Sequence, residues 1–530
     1  MTGTIGQYFN EKSKAYPENG FLAVPASQGR AYYPEGYEIT YAEAYRTVSD
    51  WQTRLAAAGF GPGLRVAVLL GNRPEMMLLK LALNGLGVSW VPVNPDYRPN
   101  EVAYLLQDSA AVLAIVAPEY RDLMQAGIED SGTGVPMRVM EAELPELPGV
   151  SGAQARDVVA EDEASLIYTS GTTGRPKGCM LSHAYEIEMG MWYASRGGMM
   201  TFEEGTDRIY NPLPLFHVNA AILTFFGIME KGNCLIVPER FSASAWWRDL
   251  AETGATVAHY LGIVIPALMN MPDTEWQHRH KVRLGLGAGV EPTLHGPFEE
   301  RFGFPLVEAW GMTEMCRLLT AHEEPRQIET RAIGRPGPGL EVRVVDGNDQ
   351  EVPRGTPGEM VLRHSEATPR KGAFSGYLNL PEATEEAWRG GWFHTGDTVM
   401  MDEGDMIYFV DRKKNIIRRS GENIAAAEIE ACLQEHEAVE RVAVIAVEDA
   451  LRDEEVMACI TSDRAGDELA EELFQWSFNR LAYYKAPGWI RFVEEIPVTG
   501  TQKIQKHALF GEGQNPTEGA LDFRARKKRG

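Results

Sequence analysis

The chain has 530 residues, more than one ordinary core holds, so at least two domains are expected. Apolar content of 44% and charged content of 24% are those of a globular protein, and a net charge of −24 argues against a nucleic-acid partner and against sustained contact with an anionic membrane. The five cysteines, Cys179, Cys234, Cys316, Cys432 and Cys459, are scattered and include no C-x-x-C pair, which suggests neither a zinc site nor a disulfide framework. The opening residues lack the apolar stretch of a signal peptide, and the longest apolar run, 218–229, is too short to span a bilayer. A cytoplasmic protein without integral membrane contact is therefore expected.

Thr40-Tyr41-Ala42-Glu43 is a capping-box pattern and predicts a helix to about residue 58. Residues 65–70 read as an apolar strand, and Pro74 sits just inside a helix that ends near Gly85-Leu86-Gly87. A strand at 89–93, a helix at 100–107 and a strand at 112–116 follow. Alternating strands and helices imply a mostly parallel sheet with covered faces. Residues 120–160 are polar and weakly patterned, and read as surface connection and peripheral elements. The apolar run 165–168 then leads into Thr169-Ser170-Gly171-Thr172-Thr173-Gly174-Arg175-Pro176-Lys177-Gly178. Glycines let the backbone approach an anion, N–H groups and hydroxyls donate to it, and Lys177 adds positive charge. A polar hairpin is the plainer alternative. A Walker A loop is excluded, because Gly178 follows the lysine where a Mg²⁺-binding hydroxyl is required.

A helix is predicted from about residue 182. The stretch Asn211-Pro212-Leu213-Pro214-Leu215-Phe216-His217-Val218-Asn219 interrupts the pattern, with His217 either a satisfied core residue or a functional one. Residues 257–261 read as a buried strand and 266–270 as a helix. Leu284-Gly285-Leu286-Gly287-Ala288-Gly289 is a glycine-rich passage from strand to loop, compatible with tight packing. Glu308-Ala309-Trp310-Gly311-Met312-Thr313-Glu314 combines an aromatic face that can stack on a base, a hydroxyl for phosphate, and a carboxylate for Mg²⁺. Gly334-Arg335-Pro336-Gly337-Pro338-Gly339 turns into a part with strands at 341–345 and 359–363. Asp397 closes the loop Gly391-Trp392-Phe393-His394-Thr395-Gly396-Asp397. The basic run 412–414 joins two apolar strands, and a compact α/β segment follows, with Ser420-Gly421-Glu422-Asn423-Ile424, a strand at 442–447 and a helix at 468–480. The tail, 513–530, ends in basic residues and reads as disordered.

The loop YTSGTTGRPKG resembles the phosphate loop of the adenylate-forming superfamily, which comprises acyl-CoA synthetases, luciferases and peptide-synthetase adenylation domains. The resemblance runs across nearly the whole chain. The Trp-rich segment 241–248, GMTE, FVDRKKNIIRRSGENI and TQKIQK resemble the crotonobetaine/carnitine-CoA ligase and fatty acyl-CoA ligase branch. It implies an α/β fold with a large N-terminal domain, 1–411, of doubly wound sheets and a small β-subdomain. A hinge at 412–414 and a mobile small C-terminal α+β domain at 415–512 would follow.

The resemblance also implies roles. Thr169, Ser170, Gly171, Thr172, Thr173, Gly174 and Lys177 would hold phosphates. Gly287, Ala288 and Gly289 would lie along adenine and the acyl pocket, which His217 borders. Trp310, in a segment with Gly311 and Met312, would stack on adenine. Thr313 would bind phosphate, Glu314 Mg²⁺, and Asp397 the ribose. Arg412 would contact ribose and phosphate, and Lys414 would be the pivot. Lys503 would bridge carboxylate and α-phosphate, with Gln502 where relatives carry glycine. Gly421 and Glu422 would arrive for thioester formation. The implied reaction joins a small-molecule carboxylic acid to coenzyme A through an acyl-adenylate, with ATP and Mg²⁺. Alternatives are acyl transfer to a carrier protein, oxidation of the adenylate, or an inactive nucleotide-binding regulator. The oligomeric state stays open, a homodimer being one option. The acid is not identified. Arg317 is either surface or ion-paired, or turned inward, where a polar group on the acid would have to match it.

Overall fold

The computed structural model describes residues 3–169, 176–262, 264–412, 416–497, 506, 509–511 and 514–528. It separates into two compact units: Met1–Pro95, Ala103–Ile167 and Gly178–Asp411 form the first, and Asp96–Val102, Tyr168–Lys177 and Arg412–Gly530 the second.

Three sheets build the first unit. One has eight strands in the order Met315–Thr320, Leu306–Met312, Leu284–Ala288, Val257–Leu261, Arg208–Tyr210, Cys234–Ile236, Gly20–Val24, Tyr37–Thr40. Its six central strands are parallel and its two edge strands antiparallel. A seven-stranded sheet runs Gly376–Tyr377, Lys177–Ser182, Glu163–Thr169, Ser89–Pro92, Arg65–Leu69, Leu113–Val116, Met137–Val139. The helix Pro74–Gly85 contacts strands of both sheets and is buried along almost its whole length. A helix covered on every side is apolar all round, and MMLLKLAL here is. Its one lysine, Lys80, is fully buried and pairs with Glu186 at 2.6 Å. A five-stranded sheet, Ala332–Gly334, Ile407–Arg412, Phe393–Met401, Gly358–Arg363, Glu341–Val345, is the predicted β-subdomain.

Local signals act as expected at several helix ends. Thr40 and Glu43 cap the helix Tyr41–Ala57 reciprocally, at 3.2 and 2.9 Å. Ser182 caps His183–Ala194 by accepting from Tyr185 N at 3.1 Å. Within 120–160, read as surface connection and peripheral elements, the structure has a helix at Arg121–Ser131 and a sheet-edge strand at Met137–Val139.

In the second unit, Asp453–Thr461 is flanked by Arg441–Asp449 and Trp489–Phe492, and the helices Ala426–Gln434 and Asp467–Arg480 cover the sheet. The expectation of a disordered tail is corrected here for residues 514–528. Leu521–Asp522 pairs with Trp489–Phe492, and the Phe523 ring stacks on Phe474 with centroids 4.8 Å apart. Arg524 donates to Asp522 and Asp449 at 2.8 and 2.9 Å, and Lys527 is buried against Glu455. Burying the Phe523 side chain contributes about 1.5–3 kcal/mol, which a charge-based reading of the tail overlooks.

Candidate active site

The strand Leu306–Met312 carries the densest set of predicted residues. Trp310 and Asp397, 87 positions apart, are brought together: Trp310 Nε1 donates to Asp397 Oδ2 at 2.8 Å, and both side chains are buried. The bend that presents Asp397 is pinned from below. Thr395 Oγ1 donates to the Met360 carbonyl at 2.7 Å and accepts from Asp397 N at 3.0 Å. Gly396, at φ +73°, donates its N–H to Glu359 Oε1 at 3.0 Å. A rigid aromatic edge thus orients a carboxylate within one hydrogen-bonded frame.

Two positions before Trp310, on the same strand face, lies Glu308, to which sequence reasoning gave no role. It is buried and accepts from Tyr260 Oη at 2.7 Å and from Gly289 N and Val290 N at 2.7 and 3.3 Å. Burial raises its pKa, against the pull of the Tyr260 hydroxyl and the Gly289 amide. Glu308 therefore fixes the end of the glycine-rich strand Leu284–Ala288. Glycine at 287 is a packing requirement, because a Cβ there would lie 2.3 Å from the Tyr260 carbonyl oxygen. Gly289, at φ +86°, approaches Gly262 so closely that a Cβ on the latter would lie 2.1 Å from its carbonyl oxygen. Tight packing and placement beside Trp310's strand coexist at Gly287, Ala288 and Gly289.

Glu314 sits in the turn between Leu306–Met312 and Met315–Thr320 and is buried. Tyr377 Oη donates to its Oε1 at 2.8 Å, and Phe374 N donates to its carbonyl at 2.9 Å. Burial first, and then the Glu314 charge, raise the Tyr377 pKa, so the phenol stays a donor. Tyr185 Oη holds the Thr313 carbonyl at 2.8 Å. Mg²⁺ is commonly bound by one or two carboxylates together with substrate phosphates and water, so one preoriented carboxylate fits it. Among the described residues no group of three or more His, Cys, Asp or Glu side chains could hold a metal by itself.

Arg317 forms an ion pair with Glu188 on the helix His183–Ala194. Gly372 and Gly339 pack against the guanidinium, where a Cβ would lie 2.4 and 3.0 Å from its nitrogens. Of the two readings, the ion pair is the one observed. His217 is half-buried, with its ring 4.5 Å from that of Phe216, and begins a helical turn in which Ala221 N donates to its carbonyl at 3.1 Å.

The remaining predicted residues belong to the second unit or lie outside the described residues. Thr169 ends one strand and Lys177 begins the next, with Thr169 Oγ1 3.5 Å from the Lys177 carbonyl. Ser170, Gly171, Thr172, Thr173, Gly174, Lys414 and Lys503 lie outside the described residues. Arg412 ends the strand Ile407–Arg412. Gly421 and Glu422 lie at a two-residue hairpin turn between Ile416–Arg419 and Glu422–Ala425. Ser420 and Gly421 have φ of +52° and +90°, the pattern of a tight hairpin turn that suits glycine.

Profiles of known families cover most of the chain: AMP-binding enzyme matches residues 20–378, and AMP-binding enzyme C-terminal domain residues 428–503. The chain belongs to the AMP-binding enzyme family. This AMP-binding enzyme is 29% identical over 514 residues to the sulfoacetate–CoA ligase of Cupriavidus necator, covering 96% of this chain and 97% of that protein. It is 29% identical over 532 residues to the crotonobetaine/carnitine–CoA ligase of Salmonella paratyphi A, covering 95% and 98%. Its fold is that of a double mutant of o-succinylbenzoate CoA synthetase from Bacillus subtilis, with a TM-score of 0.79 at 24% identity over 95% of this chain and 98% of that one. The mixed α/β architecture expected from the motifs is the one observed.

Proposed function

We propose that this AMP-binding enzyme is an ATP-dependent carboxylic acid–CoA ligase that works through an acyl-adenylate. The observation that carries the reading is end-to-end similarity to two CoA ligases, in a chain whose Trp310, Asp397 and Glu314 are buried and held in defined hydrogen bonds. A carboxylate is a poor electrophile. Its attack on the α-phosphate of ATP releases pyrophosphate and leaves AMP as a good leaving group for the thiol of CoA. Catalysis of the first step is mostly positioning and charge neutralisation.

In this reading the Trp310 face receives adenine while its N–H keeps Asp397 turned toward the ribose hydroxyls. Glu314 would hold Mg²⁺, which supplies positive charge against the phosphates. Thr169 to Gly174 and Lys177 would bind the departing pyrophosphate, and Lys503 would bridge the carboxylate and the α-phosphate. For the thioester step Gly421 and Glu422 would line the approach of the CoA thiol, after a rotation about Lys414.

The acid remains to be chosen. The two relatives are named for acids with distal groups of opposite charge, a sulfonate and a trimethylammonium, so kinship does not fix that charge. The Arg317–Glu188 pair balances its own charge. With the guanidinium already matched, nothing about Arg317 calls for a polar distal group on the acid, and we infer weak discrimination among neutral aliphatic acids. The test is pyrophosphate release with ATP and Mg²⁺ over sulfoacetate, carnitine, crotonobetaine and aliphatic acids, with and without free CoA. CoA-dependent formation of AMP and an acyl-CoA is the expected result. Adenylate that accumulates and is not discharged by CoA would point instead to a carrier protein or an oxidative fate, and no turnover with any acid would sink the reading.

A further inference from the structure

The loop that carries His217 is clamped by a network of polar side chains in which Asn72, Asn211, Thr224 and His259 are buried and Asn219 is half-buried. Asn211, which follows the strand Arg208–Tyr210, accepts from Leu213 N on Oδ1 at 3.0 Å. Its Nδ2 donates to Asn219 Oδ1 at 3.0 Å and to Thr224 Oγ1 at 2.8 Å. From the other side Asn72 accepts from Leu215 N at 2.8 Å and donates to the Leu213 carbonyl at 3.0 Å. Residues Asn219–Thr224 then form a π-helical turn. Such turns are uncommon, because the extra residue disturbs the regular ladder of hydrogen bonds, and they concentrate at functional sites. Here Thr224 Oγ1 donates to the Asn219 carbonyl at 2.9 Å.

The anchor of the network is His259, fully buried in the strand Val257–Leu261. Its Nδ1 is 3.0 Å from Asn219 Oδ1 and its Nε2 is 2.8 Å from Tyr193 Oη. The proton positions follow from the partners. Leu213 N can only donate, so it fixes Asn211 Oδ1; Asn211 Nδ2 then faces Asn219, whose facing atom must be oxygen. An amide oxygen only accepts, so His259 Nδ1 carries the proton, Nε2 is the acceptor, and the Tyr193 hydroxyl donates to it. Burial pushes the His259 pKa down to about 3, which keeps the ring neutral and this tautomer in place.

We propose that His259 is a positioning residue for acid selection: through Asn219 it holds the π-helical turn, and with it His217 two positions upstream. The proposal rests on the reading of His217 as an acyl-pocket residue. His217 is bound to the turn through its carbonyl, which accepts from Ala221 N at 3.1 Å, and to the loop before it through its N–H, which donates to the Pro214 carbonyl at 3.1 Å. A shift of the turn would therefore move the histidine.

The experiment compares His259→Leu, His259→Gln and Thr224→Val with the wild-type enzyme, after thermal melting confirms that each folds. The readouts are kcat/KM over straight-chain acids of increasing length, KM for ATP, and amide hydrogen exchange across residues 217–225. Leucine fills the space without hydrogen bonds, whereas glutamine can donate to Asn219 and accept from Tyr193. In His259→Leu, kcat/KM for the preferred acid should fall on the order of tenfold to a hundredfold, the scale of a reactant displaced by an ångström. The ranking by length should change, KM for ATP should stay close to wild type, and exchange of the turn should quicken. His259→Gln should restore the ranking, and Thr224→Val should shift it in the same direction as His259→Leu. An unchanged ranking in His259→Leu, an equal rise in KM for ATP, or a glutamine variant no better than leucine would overturn the proposal. If the wild-type enzyme turned over no acid, the parent reading would fail on its own. Hydrogen exchange would still decide the structural part: unchanged protection of the turn in His259→Leu would overturn it.

Discussion

Glu455 is fully buried and serves two cations at once. It accepts from Arg419 Nε at 2.8 Å and from the Lys527 ammonium, while Val456 N donates to it at 2.9 Å and Arg452 lies 4.0 Å away. Lys527, also fully buried, is the cation in excess. Its pKa is pushed from the ordinary 10.5 down to about 7, first by burial and then by Arg419 and Arg452, against the pull of Glu455. The sign of the pH dependence follows. Between about 7 and 10.5 the unfolded chain binds the proton that the folded chain has lost, so stability rises with pH across that window. The contribution is therefore present above about 10.5, is lost progressively as pH falls toward 7, and below about 7 both states are protonated and the full cost of the buried ammonium is in place. A depression of this size corresponds to at most about 3–5 kcal/mol. Lys527→Met keeps the apolar stem and removes the titration. Denaturant unfolding of wild type and variant at about pH 7 and about pH 10 should show methionine favoured at the lower pH, with the advantage shrinking toward the upper. Glu455→Gln should destabilise instead, leaving the buried Arg419 without its counter-charge and driving Lys527 further toward its neutral form, at a cost of about 3–5 kcal/mol near neutrality. Because Arg419 opens the turn that presents Gly421, the same variant should loosen that hairpin in hydrogen exchange. A difference between Lys527→Met and wild type that stays flat with pH would refute the charge-excess argument.

Two further predictions concern the proposed reaction. Lys503→Ala should cripple adenylation, measured as pyrophosphate release, yet spare conversion of supplied acyl-adenylate to acyl-CoA; equal loss in both half-reactions would remove the division of labour. Arg317→Ala should unmask Glu188 and move the ranking of kcat/KM toward betaine acids, by about tenfold if the freed carboxylate is worth about 1.4 kcal/mol. An identical ranking of neutral, dicarboxylic and betaine acids in the variant would show that the pair does not face the acid.

What the sequence disclosed and what it hid divide along a physical line. Strands and helices that bury an apolar face announce themselves locally, as the strand Val257–Leu261 and the capped helix Tyr41–Ala57 do. The resemblance assigns Trp310, Glu314 and Asp397 the roles proposed for them, but nothing local places Trp310 Nε1 on an oxygen 87 positions away. Glu308 had a weak local signal: it shares a strand face with Trp310, and a carboxylate in an otherwise apolar strand needs partners. Those partners, Tyr260 and the Gly289 amide, come from two neighbouring strands and cannot be read from the motif. Arg317 posed the same problem with two answers, and the helix bearing Glu188 chose between them. The tail failed for a different reason. Its composition is basic and short of apolar residues, yet Leu521 and Phe523 pack into or against a core already built, and Lys527 enters beside a carboxylate that already faces Arg419. Composition reports whether a segment can form a core of its own; it is silent on whether a few side chains complete one made elsewhere. His259 is the sharper instance. An isolated histidine in an apolar strand reads as a satisfied core residue, and so it is, but one of the two residues that satisfy it, Asn219, opens the turn that follows His217. In the positioning role proposed for His259, satisfaction and function are the same hydrogen bond, so reading a buried polar residue as structural does not exclude a functional role for it.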